Sequence, residues 1–143
     1  MTGPFSRRER RTATDVQGAE VTVSREQKMV ETLRELKAES PSVEGVVLIS
    51  SDAMPLASDM PDTMREEVLS ALSSSLIASS EKVARDLARG EVEQVYLRGE
   101  SGDLLVVRVN SDALLACTVN DQAKMGLTLL EVSRCARKLA EII

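Results

Sequence analysis

Few residues in this sequence could carry out catalysis. Histidine is absent from all 143 residues, which removes Ser-His-Asp and Cys-His nucleophilic sites and most sets of catalytic zinc ligands. The seven glycines never form the phosphate-binding patterns G-x-x-x-x-G-K or G-x-G-x-x-G, so we expect no nucleotide hydrolysis by the chain itself. General acid–base chemistry would then need a pair of carboxylates with shifted pKa values, and the spacing indicates none. We therefore expect no catalytic residues.

The other reactive side chains have structural explanations. Asp52, Asp59 and Asp62 lie close together in sequence, but the central glycine and terminal glutamate of a calcium-binding loop are missing. Turn formation and helix capping account for these carboxylates. Cys117 and Cys135 match no metal or redox spacing, and their apolar neighbours predict buried, reduced thiols. We therefore expect neither a metal nor a cofactor.

Composition excludes further classes of function. The net charge is −5, and the only aromatic residues are Phe5 and Tyr96, so neither phosphate attraction nor base stacking favours nucleic-acid binding. No apolar run approaches the roughly 20 residues that a membrane-spanning helix needs. Few cysteines and no recognisable signal peptide predict a cytoplasmic protein.

The chain divides into a short tail and one domain. Residues 1–23 lack sustained periodicity and are predicted to be a flexible tail, basic and then polar, while residues 24–143 form the domain. The tail carries a cluster of arginines: Arg7, Arg8, Arg10 and Arg11. This cluster is either simply solvated or an electrostatic handle for an acidic partner or an anionic lipid.

Periodicity and turn residues predict three helices and five strands in the order α-β-β-α-β-β-β-α. The predicted helices cover residues 25–39, 63–89 and about 121 to the end; the predicted strands cover residues 43–50, 54–58, 92–98, 104–110 and 113–119.

Several residues refine these boundaries. Ser24 with Gln27, and Thr63 with Glu66, have capping-box spacing at helix starts. Asn120 or Asp121 could cap the last helix, and Gly90 is predicted to end the long one. Pro55 cannot donate to a ladder, so residues 54–58 should form an edge strand. The polar residues among positions 92–98 predict a second edge.

The long helix presents two stripes. One stripe is large and apolar, and we expect it to pack on the sheet: Val68, Leu72, Leu76, Val83 and Leu87. The adjoining stripe is mostly small: Leu69, Ser73, Ile77, Ser80, Ala84 and Ala88. Small side chains let another helix approach closely. The second stripe therefore belongs either to an ordinary surface helix or to a helix that packs on its twin in a dimer.

Residues 27–143 resemble the Roadblock/dynein-light-chain family, which is close in shape to the longin domain. Three motifs carry the resemblance: P-x-V-E-G-V at residues 41–46, D-x-x-P-x-A at 52–57, and G-E-x-E-Q-V at 90–95. It implies an α/β sandwich of the profilin/longin type with a five-stranded, mainly antiparallel sheet. The long helix would lie on one face and the terminal helices on the other.

The resemblance also implies a homodimer that forms through the edge strand at 92–98 and the long helices. The matching interface positions are Val95, Tyr96 and Leu97 on the strand, and Leu69, Ser73, Ile77 and Ser80 on the helix. Relatives of the MglB type bind small Ras-like GTPases and alter their nucleotide cycle without supplying an arginine finger. Eukaryotic relatives serve as dynein light chains or scaffold subunits. The resemblance thus implies a non-enzymatic GTPase regulator, or alternatively a scaffold or motor-adaptor subunit.

Overall fold

The computed structural model describes residues 25–143. The tail predicted at residues 1–23 and the proposed cap at Ser24 lie outside this part of the chain. The first helix, α1, covers residues 25–39. It ends where the amide of Ser40 donates to the carbonyl of Leu36 at 2.8 Å, directly before Pro41, which cannot continue a helix.

Five strands form one sheet, as predicted. They are β1 (Val43–Ser50), β2 (Pro55–Asp59), β3 (Gln94–Gly99), β4 (Gly102–Asn110) and β5 (Ala113–Val119). Their spatial order is β2-β1-β5-β4-β3, and every neighbouring pair is antiparallel. Both predicted edge strands therefore lie at the edges, and the central strands are the β-branched and apolar ones, which need cover on both faces.

The helices α2 (Glu66–Asp86) and α3 (Met125–Ile142) are shorter than predicted. Neither helix has a side-chain cap at its start, so the predicted capping roles are wrong. Glu66 instead accepts a hydrogen bond from the hydroxyl of Ser58 on β2. The side chain of Asn120 accepts from the amide of Gln122 at 3.0 Å, which makes a turn before α3 rather than a cap.

The end of α2 also differs from the prediction. The C-cap is Leu87, and the left-handed residue that follows it is Ala88, with φ of 53°. Gly90 has a positive φ as well, but it lies beyond the helix terminus. The chain leaves the helix earlier than the glycine indicated because the amide of Arg89 already turns back to the carbonyl of Ala84 at 2.7 Å.

The sheet separates two apolar layers. On one face, α1 and α3 cover the larger layer, with Leu33, Leu48, Leu105, Leu115 and Leu139 fully buried. On the other face, α2 covers a smaller layer; its buried members are Val47, Ile49, Leu69, Ile77, Val106, Leu114 and Ala116. This confirms the arrangement of one long helix opposite the two terminal helices.

The side of α2 that faces the sheet differs from the prediction. Leu69, Ser73 and Ile77 are buried against the sheet, together with Ser70. Four members of the larger stripe, which was predicted to lie there, are exposed: Val68 by 47%, Leu72 by 62%, Val83 by 57% and Leu87 by 61%. The fifth, Leu76, is half-buried and packs against this layer as predicted. Small serines let the helix backbone sit close above the β-branched residues of β1, so most of the bulkier residues remain outside.

Candidate protein-interaction site

The strand β3 has one free edge. Among residues 25–143 it pairs only with β4, from Gln94 opposite Val107 to Gly99 opposite Gly102, without a register shift. The amide of Arg108 donates to the carbonyl of Glu93 at 2.9 Å. Hydrogen-bonded and non-hydrogen-bonded pairs alternate in an antiparallel ladder, so the residues in the non-bonded positions point their backbone groups outward. These residues are Gln94, Tyr96 and Arg98.

Two glycines in the hairpin turn hold β3 in this position. A Cβ atom on Gly99 would lie 2.8 Å from the carbonyl oxygen of Gly102. A Cβ atom on Gly102 would lie 2.8 Å from the carbonyl oxygen of Val119, and Gly102 also has φ of 139°. Side chains are excluded at both positions, so the turn stays tight and delivers β3 directly beside β4.

The predicted strand residues of the site lie on this edge. Val95 is half-buried against the layer beneath α2, whereas Tyr96 and Leu97 are 43% and 46% exposed. The phenol of Tyr96 donates to a carboxylate oxygen of Asp103 at 2.8 Å. This hydrogen bond, more than the nearby negative charge, raises the pKa of Tyr96, because it stabilises the protonated phenol.

Three of the four predicted helix residues of the site are not available to a second copy, and the fourth is only partly accessible. Leu69, Ser73 and Ile77 are buried against their own sheet, and Ser80 is half-buried, with its hydroxyl donating to the carbonyl of Leu76 at 2.8 Å. The large apolar side chains that α2 and its C-cap do present to solvent are Val68, Leu72, Val83 and Leu87. The sequence contained this stripe, but hydrophobicity alone does not tell a core-facing stripe from one that meets another molecule.

Arg108 ties the free edge to α2. Its guanidinium pairs with the carboxylate of Glu81 on α2, and its Nε donates to the carbonyl of Val92 at 3.2 Å, directly before β3 begins. One side chain on β4 therefore fixes both the helix and the entry of the edge strand. Sequence analysis placed Arg108 on a strand without assigning it this contact.

The cysteines and aspartates that could have carried chemistry have structural explanations in the folded domain. Cys117 and Cys135 are free and buried, as predicted. Burial raises the pKa of both thiols, that of Cys135 to about 12, so neither forms a thiolate near neutral pH. Asp59 pairs with Lys37 at 3.3 Å, and Asp52 is exposed in the β1–β2 turn. Within residues 25–143, no group of three or more potential ligands could hold a metal ion.

Across residues 25–143, none of the helices combines the length and the apolar character that crossing a lipid bilayer requires.

Comparison with known proteins decides the family. The model of the Roadblock/LC7 domain matches residues 29–119, from within α1 to the end of β5. The chain belongs to the Roadblock/LC7 family. A curated relative, the uncharacterized protein MJ1340 of Methanocaldococcus jannaschii, is 26% identical over 97 residues, which is 68% of this chain and 84% of that protein.

Solved structures share the fold of this Roadblock/LC7 chain. The gliding protein MglB from Thermus thermophilus superposes with a TM-score of 0.77 at 24% identity, covering 82% of this chain and 90% of that one. A structure described as MglB with tetrameric arrangement gives a TM-score of 0.75 at 24% identity, covering 82% and 89% of the two chains. At this level of identity the similarity shows the longin-like fold.

Proposed function

We propose that this Roadblock/LC7 chain is a homodimeric module that binds a small Ras-like GTPase and alters its nucleotide cycle. The observation that carries the proposal is the uncovered edge of β3, on the same domain as an exposed apolar stripe on α2. The unpaired backbone groups of such an edge can bind a further strand, and a surface stripe of large apolar residues is typical of a protein contact.

The outward backbone groups of β3 define the register of the proposed dimer. If Tyr96 lies on the two-fold axis opposite Tyr96 of the second copy, Gln94 faces Arg98, and all three outward residues are paired. On the face toward α2, Val95 then lies opposite Leu97. The two sheets become one continuous sheet, and no outward group of β3 remains unpaired.

The exposed stripe on α2 supplies the apolar part of the contact. Val68, Leu72, Val83 and Leu87 follow one another at helical spacing, and each is about half exposed or more. Because each is already partly covered, burying the remaining surface of one such side chain contributes about 1–1.5 kcal/mol. Self-assembly of this kind is also supported by the similar MglB structure, which is described as a tetrameric arrangement.

The GTPase partner is proposed from the family and the fold. The sequence resemblance associates the MglB type with small Ras-like GTPases, and MglB structures share this fold. A regulator must bind the GDP and GTP states with different affinity, because a ligand with equal affinity shifts no equilibrium. The regulator needs no catalytic residue of its own if it only selects a conformation of the GTPase.

Single-turnover kinetics tests the regulatory role. A purified small Ras-like GTPase is assayed for GTP hydrolysis and nucleotide exchange with and without the chain. We expect one rate to change and the affinity to differ between the GDP and GTP states. Equal affinity for both states with unchanged rates would support the scaffold or motor-adaptor alternative, and absence of binding would reject both.

Cysteine cross-linking tests the register of the dimer independently of any GTPase. Directly opposite residues of a hydrogen-bonded pair have Cα atoms about 5.5 Å apart, within the range that a disulfide requires. Tyr96→Cys should therefore give a disulfide-linked dimer under mild oxidation. Leu97→Cys is the matched control, because in this register it faces Val95 and not its own copy. Equal cross-linking of both variants would contradict the register.

A further inference from the structure

We propose that the arginine cluster of this chain, at positions 7, 8, 10 and 11, binds in an acidic trough beside β3 of the same molecule. Residues 1–24 lie outside the described part of the chain, and only their sequence enters the argument. The receptor is described by the structure, and its chemistry fits guanidinium groups. The proposal does not depend on the GTPase.

The trough exists because α3 leaves β3 uncovered. The helix packs against β4 and makes no comparable contact with β3. A cavity of about 1220 Å³ lies at the beginning of β3, between the end of α2 and α3. A second cavity of about 720 Å³ lies at the other end of the strand, beside the hairpin turn and the approach to α3. From β3 they are lined by Gln94, Tyr96, Arg98 and Gly99.

The walls of these cavities are predominantly acidic. Once the Glu81–Arg108 pair is set aside, six carboxylates remain: Glu91, Glu93, Glu100, Asp103, Asp121 and Glu141. Only three guanidinium groups accompany them: Arg85, Arg98 and Arg137. The segment 7–11 contains four arginines and one glutamate, so its charge is complementary to that of the trough. Several such pairs act together where one exposed pair would contribute little.

Tyr96 adds a feature that selects a guanidinium among cations. It is exposed in the wall of the second cavity, and its phenol donates a hydrogen bond to the carboxylate of Asp103. An aromatic face beside a carboxylate is the arrangement on which arginine stacks while it pairs with the acid.

The first described residue, Arg25, lies next to the trough. The Nε of Arg25 donates to the carbonyl of Ile142 at 3.2 Å, and the neighbouring Glu141 lines the first cavity. The residues between Arg11 and Arg25 can span up to about 45 Å when extended, at about 3.3–3.6 Å per residue. The strand β3 is only about 20 Å long at about 3.3 Å per residue. The arginine cluster can therefore reach either end.

Paramagnetic relaxation tests the proposal on the full chain. A nitroxide is attached to Ser6→Cys; the native thiols do not compete, because both are buried. We expect loss of amide signal intensity at Gln94–Gly99 and little loss at Pro55–Asp59 on the opposite edge. Raising the salt from about 0.05 M to about 1 M shortens the Debye length to about 3 Å and should restore the signals.

Charge reversal gives the matched comparison. Glu91→Lys with Glu93→Lys should abolish the signal loss, whereas Asp52→Lys with Glu67→Lys, exposed acids away from the trough, should leave it intact. The proposal is overturned if β2 and β3 lose intensity equally, or if the loss survives replacement of the four arginines by serine. Loss that arises only between spin-labelled and isotope-labelled molecules would place another copy's cluster in the trough and also overturn it.

Discussion

The two edge strands of the sheet differ in ways that separate a protected edge from an available one. The strand β2 begins with Pro55, is joined to α2 through Ser58 and to α1 through the Lys37–Asp59 pair, and its ladder with β1 is interrupted by a bulge. The strand β3 contains no proline, pairs in regular register with β4, and presents Tyr96 and Leu97 to solvent. Proline and bulges are common means of blocking unwanted strand addition, so the contrast indicates that only β3 is suited to pairing.

The largest effect is expected from Tyr96→Pro. Proline removes an outward amide that the monomer does not use, and it does so in both copies of the dimer. We expect the dissociation constant of the dimer to rise by about 100-fold or more, which corresponds to about 2.7 kcal/mol. Light scattering against concentration measures the change, and circular dichroism checks that the monomer stays folded. A wild-type chain that is monomeric at micromolar concentration would contradict the dimer itself.

A matched pair of leucines tests the two edges directly. Leu97 on β3 and Leu56 on β2 are each 46% exposed, so replacement by glutamate changes the same area of surface. Leu97→Glu should weaken the dimer by about tenfold, about 1.4 kcal/mol, because a charge would be buried in the contact. Leu56→Glu should leave the dissociation constant unchanged in analytical ultracentrifugation. Similar effects of the two changes would mean that β2 also takes part.

The ion pairs near the two edges should differ in their effect on stability. Arg108→Ala removes the pair with Glu81 and the hydrogen bond to Val92, and we expect it to lower the free energy of unfolding by about 1 kcal/mol. Lys37→Ala removes a single, partly exposed pair with Asp59 and should cost less. Urea denaturation measures both. The reverse order would show that the α2 contact of Arg108 is dispensable.

The smallest effect concerns the ionisation of Tyr96, the only tyrosine in the chain. Because its hydrogen bond to Asp103 raises the pKa, ultraviolet titration should give a value above the usual one of about 10. The stabilisation from this bond is present below the usual pKa and is lost as the pH rises through the raised one. Asp103→Asn should move the titration back toward the usual value. An unchanged titration would show that Tyr96 does not form this hydrogen bond with Asp103 in solution.

The strands were largely predictable from sequence, and the rotation of α2 was not. Residues 43–50 and 113–119 were predicted with the observed bounds, because continuous β-branched and apolar runs indicate central strands. In α2, by contrast, the stripe containing Leu72 and the stripe containing Ser73 were both compatible with burial. Only the packing distance between helix and sheet decides between them, and a single sequence does not contain that distance.

The exposure of the candidate strand residues was predictable from sequence, whereas the exposure of the apolar stripe on α2 was not. Tyr96 and Leu97 alternate with Val95 along a strand, so their exposure follows from the edge position. Val68 and Leu87 are of apolar types that are equally common in a protein core. Their role as surface residues follows only once Leu69 and Ile77 are seen to fill the space above the sheet.

Pro55 at the start of β2 also limits the size of the assembly that edge-strand pairing could form. If both edge strands could pair equally well, β3 of one molecule could pair with β2 of the next. Head-to-tail contacts of this kind can continue without limit into fibres. With the β2 edge blocked by Pro55, the proposed pairing through β3 is isologous and closes after two molecules. Replacing this proline by valine would therefore be expected to convert a self-limiting complex into one prone to polymerise.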